Sequence, residues 1–173
     1  MTWQIDSAHS LIQFSVRHMM ISTVRGNFND FEGMIEFTDD DPTHSTVDVS
    51  INVNSIDTRD QQRDEHLRSP DFFAAAEYPT MTYKSTRVEQ TSDKKGRLIG
   101  DLTIHGVTRE VVLDVEYAGQ AKSPWGTTSA GFAANGTISR KDFGLNWNQA
   151  LETGGILVGD TIKIDIEIEL IKQ

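Results

Sequence analysis

The chain has 173 residues, 37% hydrophobic and 24% charged, the make-up of a globular domain able to bury its own core. It contains no cysteine, which excludes disulfides, thiolate metal sites and cysteine nucleophiles. Its net charge of -10 leaves no basic face for a phosphate backbone, so nucleic acid is excluded, and it disfavours a polybasic membrane anchor.

The opening stretch MTWQIDSAHS has neither a basic n-region nor an apolar h-region, so a cytoplasmic location is expected, or a periplasmic one if the N-terminus has been processed. No run approaches the roughly eighteen apolar residues that a membrane helix needs, and no stable membrane insertion is expected. The first strand signal is the alternation of Ile12, Phe14 and Val16, with His18 in phase beyond them near a rim. Phe31, Gly33, Ile35 and Phe37 form the next face. Asp39, Asp40 and Asp41 lack the ligand spacing of a calcium loop and predict a solvated turn before Pro42. Val47, Val49, Ile51 and Val53 then point one way, and Asp48, Ser50 and Asn52 the other.

Helical character is confined to one insertion, at about residues 58–76. From Asp57 to Arg68 the chain is charged and free of Gly and Pro, with Asp57 or Thr58 as N-cap. Helical spacing puts Arg59, Arg63 and His66 on one face. Asp60, Asp64 and Arg68 fall on another, where Asp64 and Arg68 make an i,i+4 pair. Leu67 is the one strong apolar anchor before Phe72 and Phe73. Ser69-Pro70 predicts a restarted short helix, and Pro79 ends the insertion.

Strand signals resume, weakly over 79–89 and clearly at Leu98, Gly100, Leu102 and Ile104, before a turn at His105-Gly106. Val111, Leu113, Val115 and Tyr117 follow, with Val112 apolar on the otherwise charged outer face. Over 127–140, Ala130, Ala134 and Gly136 beside Phe132 and Ile138 are candidates to face inward. The phase stays open, because Gly131 and Ala133 are equally small. The last alternation is the clearest: Ile162, Ile164, Ile166, Ile168 and Leu170 against Lys163, Asp165, Glu167 and Glu169.

These segments make about eight strands joined by turn residues, and sequential antiparallel strands of that number close into a barrel. At this size the interior is either filled by side chains or just wide enough for one small ligand, and periodicity does not choose. Walls of Val, Ile, Leu and Phe would suit a lipid-like guest, since each buried methylene contributes about 0.8 kcal/mol.

No metal or catalytic motif emerges. The five histidines show no HExxH spacing, and no G-x-S-x-G, GxGxxG or Walker sequence occurs. His44 reads as solvated loop and His105 as part of a turn. His18 reads as a hydrogen-bonded core histidine, and His66 as the holder of a structural hydrogen bond.

Four stretches in order, WQIDSAHSLIQFSVRHMMISTVRGNF, SIDTRDQQRDEHLRSPDFFAAAEYPTMTYKS, GDLTIHGVTREVVLDV and ISRKDFGLNW, together resemble the YceI-like family of polyisoprenoid-binding proteins. The resemblance implies an all-β, eight-stranded, antiparallel, extended lipocalin-like barrel forming one domain over residues 1–173. It implies that the barrel holds a long isoprenoid or quinone-type lipid and needs no other cofactor, that no residue is catalytic, and that a homodimer is compatible. The inward apolar sets then become the expected lining: Ile12, Phe14, Val16 and His18; Ile35; Val49 and Ile51; Leu102 and Ile104; Val111 and Leu113; Phe132; Ile164 and Ile166. Leu67, Phe72 and Phe73 are expected to gate one end. Two rivals stand beside this reading: an enzyme using His18 or His66 on a lipid head group, and a filled barrel serving as an interaction module.

Overall fold

Strands with one apolar and one charged face need an interior to turn towards, and the computed structural model supplies it as a closed antiparallel barrel. The structure describes residues 2–37, 40–149, 151 and 155–173. The strands are β1 (Thr2–Ile5), β2 (Leu11–His18), β3 (Ser22–Phe28), β4 (Phe31–Glu36), β5 (Thr46–Asn52) and β6 (Ile56–Asp57). After the helix α1 (Gln61–Arg68) come β7 (Thr80–Gln90), β8 (Lys95–Ile104), β9 (Val107–Lys122), β10 (Thr128–Ser139) and β11 (Thr161–Lys172).

These eleven segments occupy eight positions in the barrel, because three barrel strands are interrupted. Both β1 and β2 pair with β11, Ile5 opposite Leu170 and Phe14 opposite Ile164, so they are halves of one strand. A 3-10 turn at Ser7–His9, capped by the Asp6 carboxylate, separates them. In the same way β4 pairs with β1 while β3 pairs with β2, and β5 pairs with β4 while β6 pairs with β3. The remaining strands follow in sequence order from β5 through β7 to β11, and β11 returns to β1. The expected eight-stranded barrel is thus present, with breaks that short alternating runs did not reveal.

The meander sorts the connections by end. The β2–β3 and β8–β9 turns lie at one end, with α1 and residues 69–79 inserted between β6 and β7. The β4–β5, β7–β8 and β9–β10 connections lie at the other. His105 and Gly106 form the β8–β9 turn as expected, with φ of 56° and 72°. His44 is exposed in a 3-10 turn over Pro42–His44, capped by Asp41. Asp39 lies outside the described residues.

The helix starts later than its sequence suggests. Its N-cap is Asp60, whose carboxylate accepts from the Arg63 N–H at 3.1 Å, rather than Asp57 or Thr58. Thr58 is instead buried, and its N–H and Oγ1–H both donate to Asp64 Oδ1, at 2.9 and 2.5 Å. This draws Asp64 inward, so the expected Asp64–Arg68 pair does not form. Buried donors outweigh an exposed ion pair worth a few tenths of a kcal/mol. Arg68 donates to the carbonyls of Asn54 and Ile56.

The Ser69-Pro70 restart is also corrected, because it gives a run of turns rather than a helix. The Phe72 and Ala74 N–H groups both donate to the Ser69 carbonyl, and Ala74 adopts φ 47°, which no helix continues through.

Candidate functional site

The inward faces enclose a cavity of about 430 Å³. Ile12, Phe14 and Val16 on β2, Ile35 on β4, Val49 and Ile51 on β5, and Leu102 and Ile104 on β8 all line it. So do Val111 and Leu113 on β9, Phe132 on β10, and Ile164 and Ile166 on β11, with Leu67, Phe72 and Phe73 at the helical end. The interior is therefore not a filled core. The open phase of β10 resolves as Phe132, Ala134 and Ile138 facing in, with Ala133 exposed.

The small residues do not themselves supply the space. A Cβ on Gly100 would lie 2.7 Å from Tyr83 Cζ, and one on Gly136 would lie 2.8 Å from Leu113 Cδ2. Neighbouring side chains fill both positions. Tyr83 is buried with its hydroxyl donating to the Val111 carbonyl at 2.9 Å, and burial, with Asp101 and Glu110 nearby, pushes its phenol well up. It is part of the wall and carries no charge. The cavity exists because aliphatic side chains around a ring of eight strands stop short of the axis.

Towards the β7–β8 hairpin the lining turns polar, with Glu89, Gln90, Asp93, Lys94 and Lys95, all exposed. The other end is lined by aromatic rings. Phe28 sits 5.5 Å from Phe14 and 6.1 Å from Phe73. Trp147 sits 5.3 Å from Phe72 and 4.7 Å from His66. His66 Nε2 is 2.8 Å from Asp71 Oδ2, the structural hydrogen bond expected of it.

His18 departs from expectation. It lies at the very end of β2, half-buried, and its ring makes no hydrogen bond among the described residues. Apart from the main cavity, it lines a smaller side chamber of about 160 Å³ together with Val24, Arg63, His66, Trp147 and Leu157. The chamber shares Phe14, Val16, Leu67, Phe72 and Val158 with the main cavity.

Arg140 organises this end and was not foreseen. It is 3% exposed, and its guanidinium donates to the carbonyls of Leu145, Trp147, Val158 and Gly159 at 2.6 to 3.3 Å. Burial draws its pKa down while Asp160 opposes this, yet an arginine stays charged. It ties the segment after β10 against the barrel, setting Leu145, Trp147 and Val158 at the cavity's end. That segment has no period of its own, and although the stretch ISRKDFGLNW contains Arg140, Leu145 and Trp147, the resemblance it carries gives them no role. Phe28, Phe37, Met81 and Tyr83 also belong to the lining. Of these, Phe37 was readable as the end of the alternation through Ile35.

Elsewhere His9 Nδ1 meets Asp6 Oδ2 at 2.7 Å and Glu169 Oε2 at 3.3 Å. Three such donors could meet a cation, but His9 is 68% exposed and the contacts among the three account for their positions. Hydrogen bonding holds Asp6 below the usual carboxylate range and His9 above the usual imidazole value. Among the described residues, no helix is long and apolar enough to cross a bilayer.

Comparison with known proteins agrees with this architecture. A family model described as the YceI-like domain matches residues 3–170. A UPF0312 protein of Staphylococcus epidermidis is 39% identical over 96% of this chain and 95% of its own. The crystal structure of a Campylobacter jejuni YceI protein, 38% identical, superposes with a TM-score of 0.79 over 91% of this chain and 90% of that one. A polyisoprenoid-binding domain from Saccharophagus degradans, 15% identical, shares the fold with a TM-score of 0.70 over 99% and 98% of the two chains.

Proposed function

The chain belongs to the YceI-like domain family, and on that premise we propose that it binds a long isoprenoid lipid, of polyprenyl or quinone type, inside the barrel. It carries or stores this lipid without altering it. The observation that carries the reading is the cavity of about 430 Å³ with an almost wholly aliphatic and aromatic wall. A guest held by such walls gains about 0.8 kcal/mol for each methylene removed from water, so an extended hydrocarbon outweighs its immobilisation where a small polar metabolite would not. The solved relative that shares this fold at low identity is itself a polyisoprenoid-binding domain.

Catalysis on a head group has one observation in its favour, the 2.8 Å contact of His66 with Asp71. Among the described residues, those lining the side chamber include no serine, threonine, tyrosine or cysteine for such a pair to activate. Carriage is the better reading.

Native mass spectrometry of the purified protein, followed by organic extraction, tests it. The expected result is an adduct that releases an isoprenoid. A protein that purifies empty and takes up neither a polyprenol nor a quinone from detergent solution overturns it.

A further inference from the structure

The β2–β3 hairpin turns on Met19, Met20 and Ile21, which are 40%, 60% and 77% exposed. Met19 and Met20 adopt φ of 54° and 62°, the left-handed geometry that two-residue hairpins ordinarily assign to Asn and Gly. The tip is nonetheless held firmly. The Met19 N–H donates to the Leu157 carbonyl at 2.8 Å, and Arg17 Nη2 donates to the Met20 carbonyl at 3.1 Å. Met20 lays its thioether against Gly155, where a Cβ would lie 2.2 Å from Met20 Sδ, yet the tip as a whole still spends apolar surface in solvent, which points to a use beyond that contact.

Their surroundings indicate what they meet. Behind the tip, past Arg17 and His18, lies the apolar side chamber, which shares the wall of Phe14, Val16, Leu67, Phe72 and Val158 with the main cavity. Arg17, His18, Arg63 and His66 stand around that chamber, and among the described residues no Asp or Glu lines it. Arg25 adds a further exposed cation on β3, opposite Ser15. Of the acids on and just after α1, Asp64 bonds Thr58, Asp71 is paired with His66, and Glu65 is exposed. A chain of net charge -10 thus places the exposed Arg17 and Arg25 on the two strands that carry this apolar tip, while Arg63 donates to the hydroxyl and carbonyl of Thr58.

We propose that this end is a transient docking surface for an anionic bilayer, with Met19, Met20 and Ile21 dipping into the boundary between head groups and acyl chains. Arg17 and Arg25 meet lipid phosphates, and the side chamber is the lipid's path between membrane and barrel. The proposal rests on the lipid-binding reading above and adds where and from what surface the lipid arrives.

The triple variant Met19→Asn, Met20→Gly, Ile21→Thr tests it, because its residues suit the same turn and preserve the fold, checked by an unchanged or higher melting temperature. Wild type is expected to float with phosphatidylglycerol–phosphatidylcholine vesicles, and the variant not. Undecaprenol uptake from those vesicles should slow by about tenfold or more in the variant, through loss of apolar insertion. Binding of undecaprenol delivered in detergent should be unchanged. Equal flotation and equal uptake rates overturn the proposal. So does a variant that behaves as wild type on vesicles but loses self-association in sedimentation, which assigns the tip to a protein contact. If neither protein retains undecaprenol from detergent while flotation still differs, docking stands and the lipid-cargo reading fails.

Discussion

Phe14 and Gly26 are direct cross-strand partners, and the ring of the first fills the space the second leaves empty. A Cβ on Gly26 would lie 2.5 Å from Phe14 Cζ, and 2.8 Å from Thr58 Cγ2 on the other side. Phe14 lines both the main cavity and the side chamber, so this fit fixes the ring at their junction. Gly26→Ala should therefore destabilise the fold by about 1–3 kcal/mol, as overpacking does. It should also weaken lipid binding by forcing the ring into the cavity. Urea denaturation with a lipid titration checks both. Phe14→Leu in the Gly26→Ala background should recover stability.

The buried bond between Asp64 and Thr58 makes a second case. Asp64→Ala leaves the buried Thr58 N–H and hydroxyl without their acceptor and should cost about 1–3 kcal/mol. Because α1 is held to the barrel through this contact, limited proteolysis of the variant should cut first within residues 59–79. Denaturation by urea gives the magnitude.

The contrast between these two sites shows what the sequence could convey. The inward faces of β2, β5, β9 and β11 were legible because a period of two leaves only one way to bury Ile, Val and Leu. The lining residues read from that period all face the cavity except His18, where the strand ends. Asp64 was misread because helical spacing describes neighbours on the helix surface and cannot see Thr58, whose buried donors compete for the same carboxylate. Arg140 was silent because its partners are four main-chain carbonyls, and any sequence offers carbonyls.

That dependence on main-chain partners yields a third prediction. Arg140→Met should destabilise by about 3 kcal/mol or more, since several buried carbonyls lose a charged donor together. Hydrogen exchange should quicken first at Leu145 and Leu157, whose amides donate within the segment that Arg140 anchors. A variant with wild-type exchange there would show that the segment is held by its apolar contacts alone.

The Asp6–His9 contact gives stability a pH dependence of known sign. His9 is raised in the folded state, chiefly by its hydrogen bond to Asp6. Its contribution is whole below the ordinary imidazole value of about 6.5 and is lost as pH rises through the folded value. Asp6 is lowered by the same bond. Its contribution is whole above the ordinary carboxylate value of about 3.9 and is lost as pH falls through the folded value. The stability difference between wild type and His9→Ala should thus be greatest between about pH 4 and 6.5 and shrink on either side. Urea midpoints across that range test it, and a difference that grows towards alkaline pH would contradict the assignment.

The final prediction separates a cavity that holds cargo from one that is merely unfilled. Ala134 lines the interior directly between Val115 on β9 and Ile166 on β11, so a larger side chain there projects towards the axis. Ala134→Phe replaces void with apolar volume and should leave the melting temperature unchanged or raise it. A guest lying along the axis must give up two or three methylenes of contact, at about 0.8 kcal/mol each, for a loss in affinity of tenfold or more. A fluorescent polyprenol titrated against both proteins measures this directly. Equal affinities would place the lipid away from the β9–β10–β11 wall, whereas weaker binding at equal stability would place it along the axis between Val115 and Ile166.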